Sequence, residues 1–290
     1  MASLPIELFG HRVIAKIGTG AASEIFVVQD VKTKQVWALK HVVRVDDKSE
    51  RFIDQVEQEY AIGSKLDHKN IRGIHKILRT KKLFTTTEVG LLMELIDADT
   101  LENLPLQNML EAMKLFVQIA RGLEHMNQRG FVHADMKPIN VMVTDQKLVK
   151  IIDLGQACPV NHIKTRIQGT PGYIAPEQAN RNPITTQTDV YNFGATVYWV
   201  LARDVIPTIL PPQGDPIAVS AVSSSMLKLP TPLHIKNPNV SEDLSLLVQE
   251  CIQMNPEDRV QGMVRVVERL EAITKSLCDT HIGKAVVGAK

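Results

Sequence analysis

The hydrophobic period of this chain changes once, near residue 97, and that switch excludes both an all-helical bundle and an all-β sandwich. Before it, β-branched and apolar residues fill short runs at 12–16, 25–29 and 35–44. A Gly18-Thr19-Gly20 break separates the first two, and a polar stretch at 30–34 reads as a hairpin turn. One helix interrupts them. Asp47 with Glu50 resembles a capping box, and Phe52, Val56, Glu59, Gly63 and Leu66 recur at helical spacing, which sets a carboxylate on an apolar stripe. Strands resume at 73–79 and 88–96. Beyond Asp97 a helix is expected over 106–129, closed by Gly130, then short strands at 141–143 and 148–152. Helices at 188–201, 241–254 and 263–278 follow, with a polar loop and a Pro-rich loop among them. No flexible linker marks the switch. The expected fold is α+β, two lobes packed on each other with a cleft between.

Composition narrows the setting. A length of 290 residues allows one large domain or two smaller ones, and 33 Lys and Arg against 32 Asp and Glu leave a net charge of +1. No global basic field invites nucleic acid or an anionic surface. Cys158, Cys251 and Cys278 lack metal-ligand spacing and read as free thiols in a reducing compartment. The N-terminus has no signal-peptide pattern, and no apolar run reaches the ~18–20 residues of a membrane span. The expected location is cytoplasmic, with no membrane span.

Chemistry concentrates in a few places. Gly18 and Gly20 lie between two strands, where a Gly-rich loop can cover phosphates with backbone N–H groups, although a glycine hairpin alone is common. Lys40 lies in an apolar strand, and Glu59 supplies a counter-ion that makes burying either charge tolerable. The densest segment is Phe-Val-His-Ala-Asp-Met-Lys-Pro-Ile-Asn at 131–140. Asp135, Lys137 and Asn140 combine a carboxylate for a hydroxyl donor, a cation for a moving phosphoryl group and a second metal ligand. Asp153-Leu154-Gly155 then follows an apolar strand, an acid suited to Mg²⁺ through hard oxygen.

These motifs in this order resemble the eukaryotic-type (Hanks-type) serine/threonine protein kinase family, over roughly residues 11–277, and look similar to its bacterial members. The resemblance implies a bilobal kinase fold, with an N-lobe at 11–96, a C-lobe at 97–277 and a short tail at 278–290 taken as a mobile end. It aligns Asp67-His68-Lys69-Asn70-Ile71, His133-Ala134-Asp135, Ala175-Pro176-Glu177, Asp189, Gly194 and Arg259 with family motifs, and pairs Arg259 with Glu177. It also implies that Lys40, held by Glu59, binds ATP phosphates, that Asn140 and Asp153 bind Mg²⁺ (or Mn²⁺ in its place), that Asp135 takes the substrate hydroxyl and that Lys137 neutralises the γ-phosphoryl group. Adenine is expected among Ile17, Ile25, Ala38 and Met142, with Met93 as gatekeeper and the backbone of Glu94 and Ile96 as hydrogen-bond partners. Thr170 in Gly169-Thr170-Pro171-Gly172-Tyr173 and the lysine at 137 match the serine/threonine pattern, so protein substrates are implied.

Four positions depart from the family pattern: Ser23 for the third glycine, Leu154 for Phe, Ala134 for Arg and Gly63 for a bulky residue. Ala134 predicts activity without loop phosphorylation. Gly63 predicts a loosely held helix that needs an activating partner or homodimer. Two other functions compete. A non-catalytic nucleotide- or partner-binding scaffold is disfavoured by the presence of Lys40, Glu59, Asp135, Asn140 and Asp153, and a small-molecule kinase by the segment ending at Glu177.

Overall fold

The computed structural model describes residues 4–20, 22–46, 49–207 and 229–287, with side chains to 279. Asp47 and most of the Pro-rich loop lie outside them. The chain divides into two compact units, Met1–Asp97 with Asp153–Gly155, and Ala98–Ile152 with Gln156–Lys290.

The first unit is an antiparallel six-stranded sheet, order β1-β2-β3-β4-β6-β5, with one helix. Its strands are β1 (Glu7–Leu8), β2 (His11–Thr19), β3 (Glu24–Asp30), β4 (Val36–Val43), β5 (Ile74–Lys82) and β6 (Thr85–Met93). The helix α1 spans Glu50–Gly63 with Ser49 at its N-cap, so Leu66 falls beyond its end. Strand alternation sorts β4 onto two faces. Ala38 and Val42 join Ile53 and Val56 of α1 in one cluster, while Leu39 joins Phe26, Val28 and Leu92 in another. Lys40 shares the parity of Ala38 and Val42, and this carries its amine to the α1 side.

The second unit is mainly helical. Its long helices are α2 (Met109–Gln128), α4 (Thr186–Ala202), α6 (Glu242–Cys251) and α7 (Met263–Val287), with short α3 (Pro176–Ala179) and α5 (Leu233–Lys236). Asn108 caps α2 by accepting the Glu111 N–H at 2.9 Å, and Gly130 follows its end at φ +79°, where glycine carries no Cβ penalty. α4 is apolar nearly all round and runs through the core, touching Met113, Phe116 and Leu247 among others in one cluster. Small sheets complete the unit: β9 (Val141–Val143) pairs with β10 (Val149–Ile151) and β7 (Asp99–Thr100), and β11 (Cys158–Pro159) pairs with β8 (Phe131–Val132). α7 continues past Cys278 through Val287, into the stretch expected to be a tail. No helix among the described residues is long and apolar enough to cross a membrane.

Candidate active site

In the first unit, Lys40, Glu59 and Asp153 come together. Lys40 Nζ donates to Glu59 Oε2 at 2.7 Å and to Asp153 Oδ1 at 3.4 Å. The Glu59 side chain is 2 % exposed, whereas that of Asp153 is 48 % exposed. Burial pulls the Lys40 ammonium down, but the two carboxylates outweigh it and hold the group above its ordinary value, so it stays charged at neutral pH. A cavity of about 180 Å³ opens beside them, lined by Gly20, Ser23, Lys40, Gln55, Val56 and Asp153 among others. Above it the turn closes through the Gly20 N–H, which donates to Ser23 O at 2.7 Å, and Gly18 pairs with Ile25 across β2 and β3. Ile17 is exposed beside this turn.

Asp153 holds φ +60°, a left-handed conformation uncommon outside glycine. At Gly155 a Cβ would lie 2.6 Å from Gln55 Nε2 of α1, so the glycine permits a close approach that ties the triplet to the helix carrying Glu59. Two residues before Lys40 on β4, Ala38 is the cross-strand partner of Met93 on β6, and both are buried. Glu94 follows directly, and Ile96 is half-buried.

Asp135, Lys137, Asn140 and Met142 belong to the second unit. Lys137 Nζ donates to Asp135 Oδ2 at 2.9 Å and to Thr170 Oγ1 at 2.7 Å, while Thr170 Oγ1 donates to Asp135 Oδ1 at 3.0 Å. Asn140 Nδ2 donates to Asp135 O at 2.9 Å, which leaves its amide oxygen as the atom able to face a cation. Met142, on β9, is half-buried.

Main-chain geometry fixes the carboxylate. Asp189 accepts the N–H groups of His133 and Ala134, both at 3.0 Å, and Asn127 Nδ2 at 2.8 Å. Burial pushes its carboxyl above the ordinary range, opposed by His133 and these donors. Ala134 is thereby held at φ +60°. Asp135 N donates to His133 Nδ1 at 3.3 Å, so His133 Nε2 carries the proton and donates to Ile152 O at 3.3 Å.

Sequence reading missed several supporting residues. Gln178 Nε2 donates to Ala134 O at 2.7 Å and Gln168 O at 3.3 Å, and Lys164 Nζ donates to Gln156 O at 2.5 Å. Gln178 carries no local signal, since it reaches Ala134 across 44 residues, and Lys164 folds back only eight residues to Gln156 with no motif to mark it. Gly63 takes a different meaning from the one expected. It ends α1, and a Cβ there would lie 2.2 Å from Ile74 Cδ1 and 3.2 Å from Leu154 Cδ1. Ile74 fills the space, so no void loosens the helix.

A family model described as the protein kinase domain matches residues 11–269. The chain belongs to the protein kinase domain family. It is 25 % identical over 271 residues to a "Probable serine/threonine-protein kinase" of Clostridium acetobutylicum, covering 91 % of this chain and 40 % of that one. It is 26 % identical over 260 residues to the serine/threonine-protein kinase PknB of Mycobacterium leprae, covering 84 % and 40 %. PrkC of Bacillus subtilis, also a serine/threonine-protein kinase, is 25 % identical over 283 residues, covering 93 % and 40 %. The chain thus spans about two fifths of the length of these bacterial relatives.

Proposed function

We propose that this chain transfers the γ-phosphoryl group of ATP to serine or threonine hydroxyls of proteins, acting in the cytoplasm. The observation that carries the reading is the Asp135–Lys137–Thr170 network, whose hydrogen bonds of 2.7–3.0 Å fix both carboxylate oxygens. Asp135 is the residue to orient the acceptor hydroxyl and take its proton, and Lys137 neutralises charge near the transferred group. Lys40, kept charged by Glu59 and Asp153, holds phosphates beneath the Gly18–Gly20 turn. The residues assigned to the base in this reading are Ile17, Ile25, Ala38, Met93 and the backbone of Glu94 and Ile96 in the first unit, and Met142 in the second.

Asp153 and the Asn140 amide oxygen are hard donors suited to Mg²⁺, or to Mn²⁺. Bound there, the cation supplies charge stabilisation and phosphate alignment. Among the described residues no group of three or more His, Cys, Asp or Glu could hold a metal ion. The free thiols of Cys158, Cys251 and Cys278 support a reducing compartment.

Several contacts tie down the segment after Gly155. Buried Lys164 anchors it to Gln156, Gln178 joins Gln168 to Ala134, and His162 bridges Ile184. These ties support activity independent of loop phosphorylation. An activating partner or second copy finds no support at Gly63, because Ile74 occupies that space.

The test is transfer of labelled γ-phosphate to the chain itself and to a generic protein. Asp135→Ala lowers the rate about 10²–10⁴-fold, whereas Thr165→Ala keeps transfer near wild type. Absence of transfer by the wild type, with nucleotide-dependent thermal stabilisation, would make the chain a nucleotide-binding scaffold.

A further inference from the structure

Arg72 stands between Ile71 and Gly73, where the chain enters β5, and its side chain is turned inward. Its Nε donates to the backbone oxygen of Glu94 at 2.9 Å. The same two segments are joined twice more. The Glu94 N–H donates to Gly73 O at 2.8 Å, and the Gly73 N–H donates to Glu94 Oε2 at 3.0 Å. Main chain, carboxylate and guanidinium therefore all fasten Glu94 to residues 72–73, immediately after the buried Met93. Burial pulls the Arg72 guanidinium down from its ordinary value, while Glu59, Glu94 and Asp153 oppose that, so its charge lies within reach of the carboxylates that hold Lys40.

We propose that Arg72 is a positioning residue for the nucleotide: it fixes and polarises the Glu94 carbonyl that accepts the amino group of the adenine base. The proposal rests on the ATP reading of residues 93–96 given above. A carbonyl oxygen has two lone pairs, so an Arg72 N–H on one leaves the other for the base. A charged donor on the first lone pair polarises the oxygen and restrains its direction. An apolar residue at this position would remove the charged N–H from the carbonyl. Arg72 touches neither phosphate nor reacting atoms in this scheme, and its effect passes through Glu94.

A thermodynamic cycle isolates that path. Affinities of wild type, Arg72→Met and Arg72→Lys are measured calorimetrically for ATP and for purine riboside triphosphate, which lacks the 6-amino group, both with Mg²⁺. Arg72→Met weakens ATP about five- to tenfold, the size of one net hydrogen bond, and the analogue less than twofold. Arg72→Lys, which keeps the charge and loses the fixed N–H direction, falls between. Should Arg72→Met not fold, Arg72→Lys alone carries the same contrast at about two- to threefold. Equal losses for both triphosphates would assign Arg72 a merely structural role, and tighter ATP binding would mean that it competes with the base. Either result overturns the proposal while leaving the kinase reading intact. A wild type that binds neither triphosphate overturns both.

Discussion

Glu59 and Glu177 are both carboxylates buried against a cation, and they are held in different ways. Glu177 accepts Arg259 Nη1 and Nη2, each at 2.8 Å, and Thr188 Oγ1 at 2.8 Å. Arg259 in turn donates to the backbone oxygens of Gln253, Gln187 and Met254 and lies over the Tyr191 ring. Every polar atom of the pair is bound to something that cannot move by itself. Glu59 accepts from Lys40 and rides on α1, whose N-cap Ser49 makes no capping bond to the helix and whose last turn has no basic residue. By contrast α4, beside Glu177, opens on a Thr185 cap that accepts the Gln187 N–H. One ion pair belongs to the frame. The other rides on a helix packed at its C-terminal end against Ile74 and left without a side-chain cap at its N-terminal end, so adjustment of its geometry falls on that end.

The largest expected effect breaks the frame pair. Arg259→Met leaves Glu177 buried and unpaired and lowers unfolding free energy by about 3–5 kcal/mol, measured by urea titration. Lys40→Met leaves Glu59 equally unpaired, yet α1 can shift to rehydrate it, so the same titration gives a loss of about 1–2 kcal/mol. Equal losses for the two variants would erase the distinction drawn above. The smallest effect sharpens it. Gly63→Ala improves helix propensity by about 0.5–1 kcal/mol, but its Cβ drives into Ile74, and overpacking costs about 1–3 kcal/mol. Net destabilisation near 1 kcal/mol is expected, partly recovered by adding Ile74→Val, which removes Cδ1 at 2.2 Å and leaves Cγ1 at 2.9 Å. A stabilised Gly63→Ala would mean that the end of α1 has slack.

Much of the frame was readable in the chain because its signals are local. The spacing of Asp135, Lys137 and Asn140 lies within six residues, and the helix from Met109 ends at the Gly130 that its position announces. What escaped is carried by pairing across distance. The β1 hairpin turns on Phe9 and Gly10, both at positive φ, with none of the Asn-Gly chemistry that would flag it. Gly63 read as a missing contact, since only the folded sheet brings Ile74 beneath it. Arg72 carries no local signal, because its partner Glu94 is 22 residues further on.

Asp153–Gly155 groups with the first unit although all of 98–152 is synthesised before it. A nascent chain that has reached Asp97 already holds every strand of the six-stranded sheet and the Lys40–Glu59 pair, but not the carboxylate that completes their cluster. The sheet can form early on the ribosome while the cluster of Lys40, Glu59 and Asp153 stays unfinished until the later segment returns. A protease cut anywhere in 98–152 would therefore leave every strand of the sheet on one fragment and Asp153 on the other.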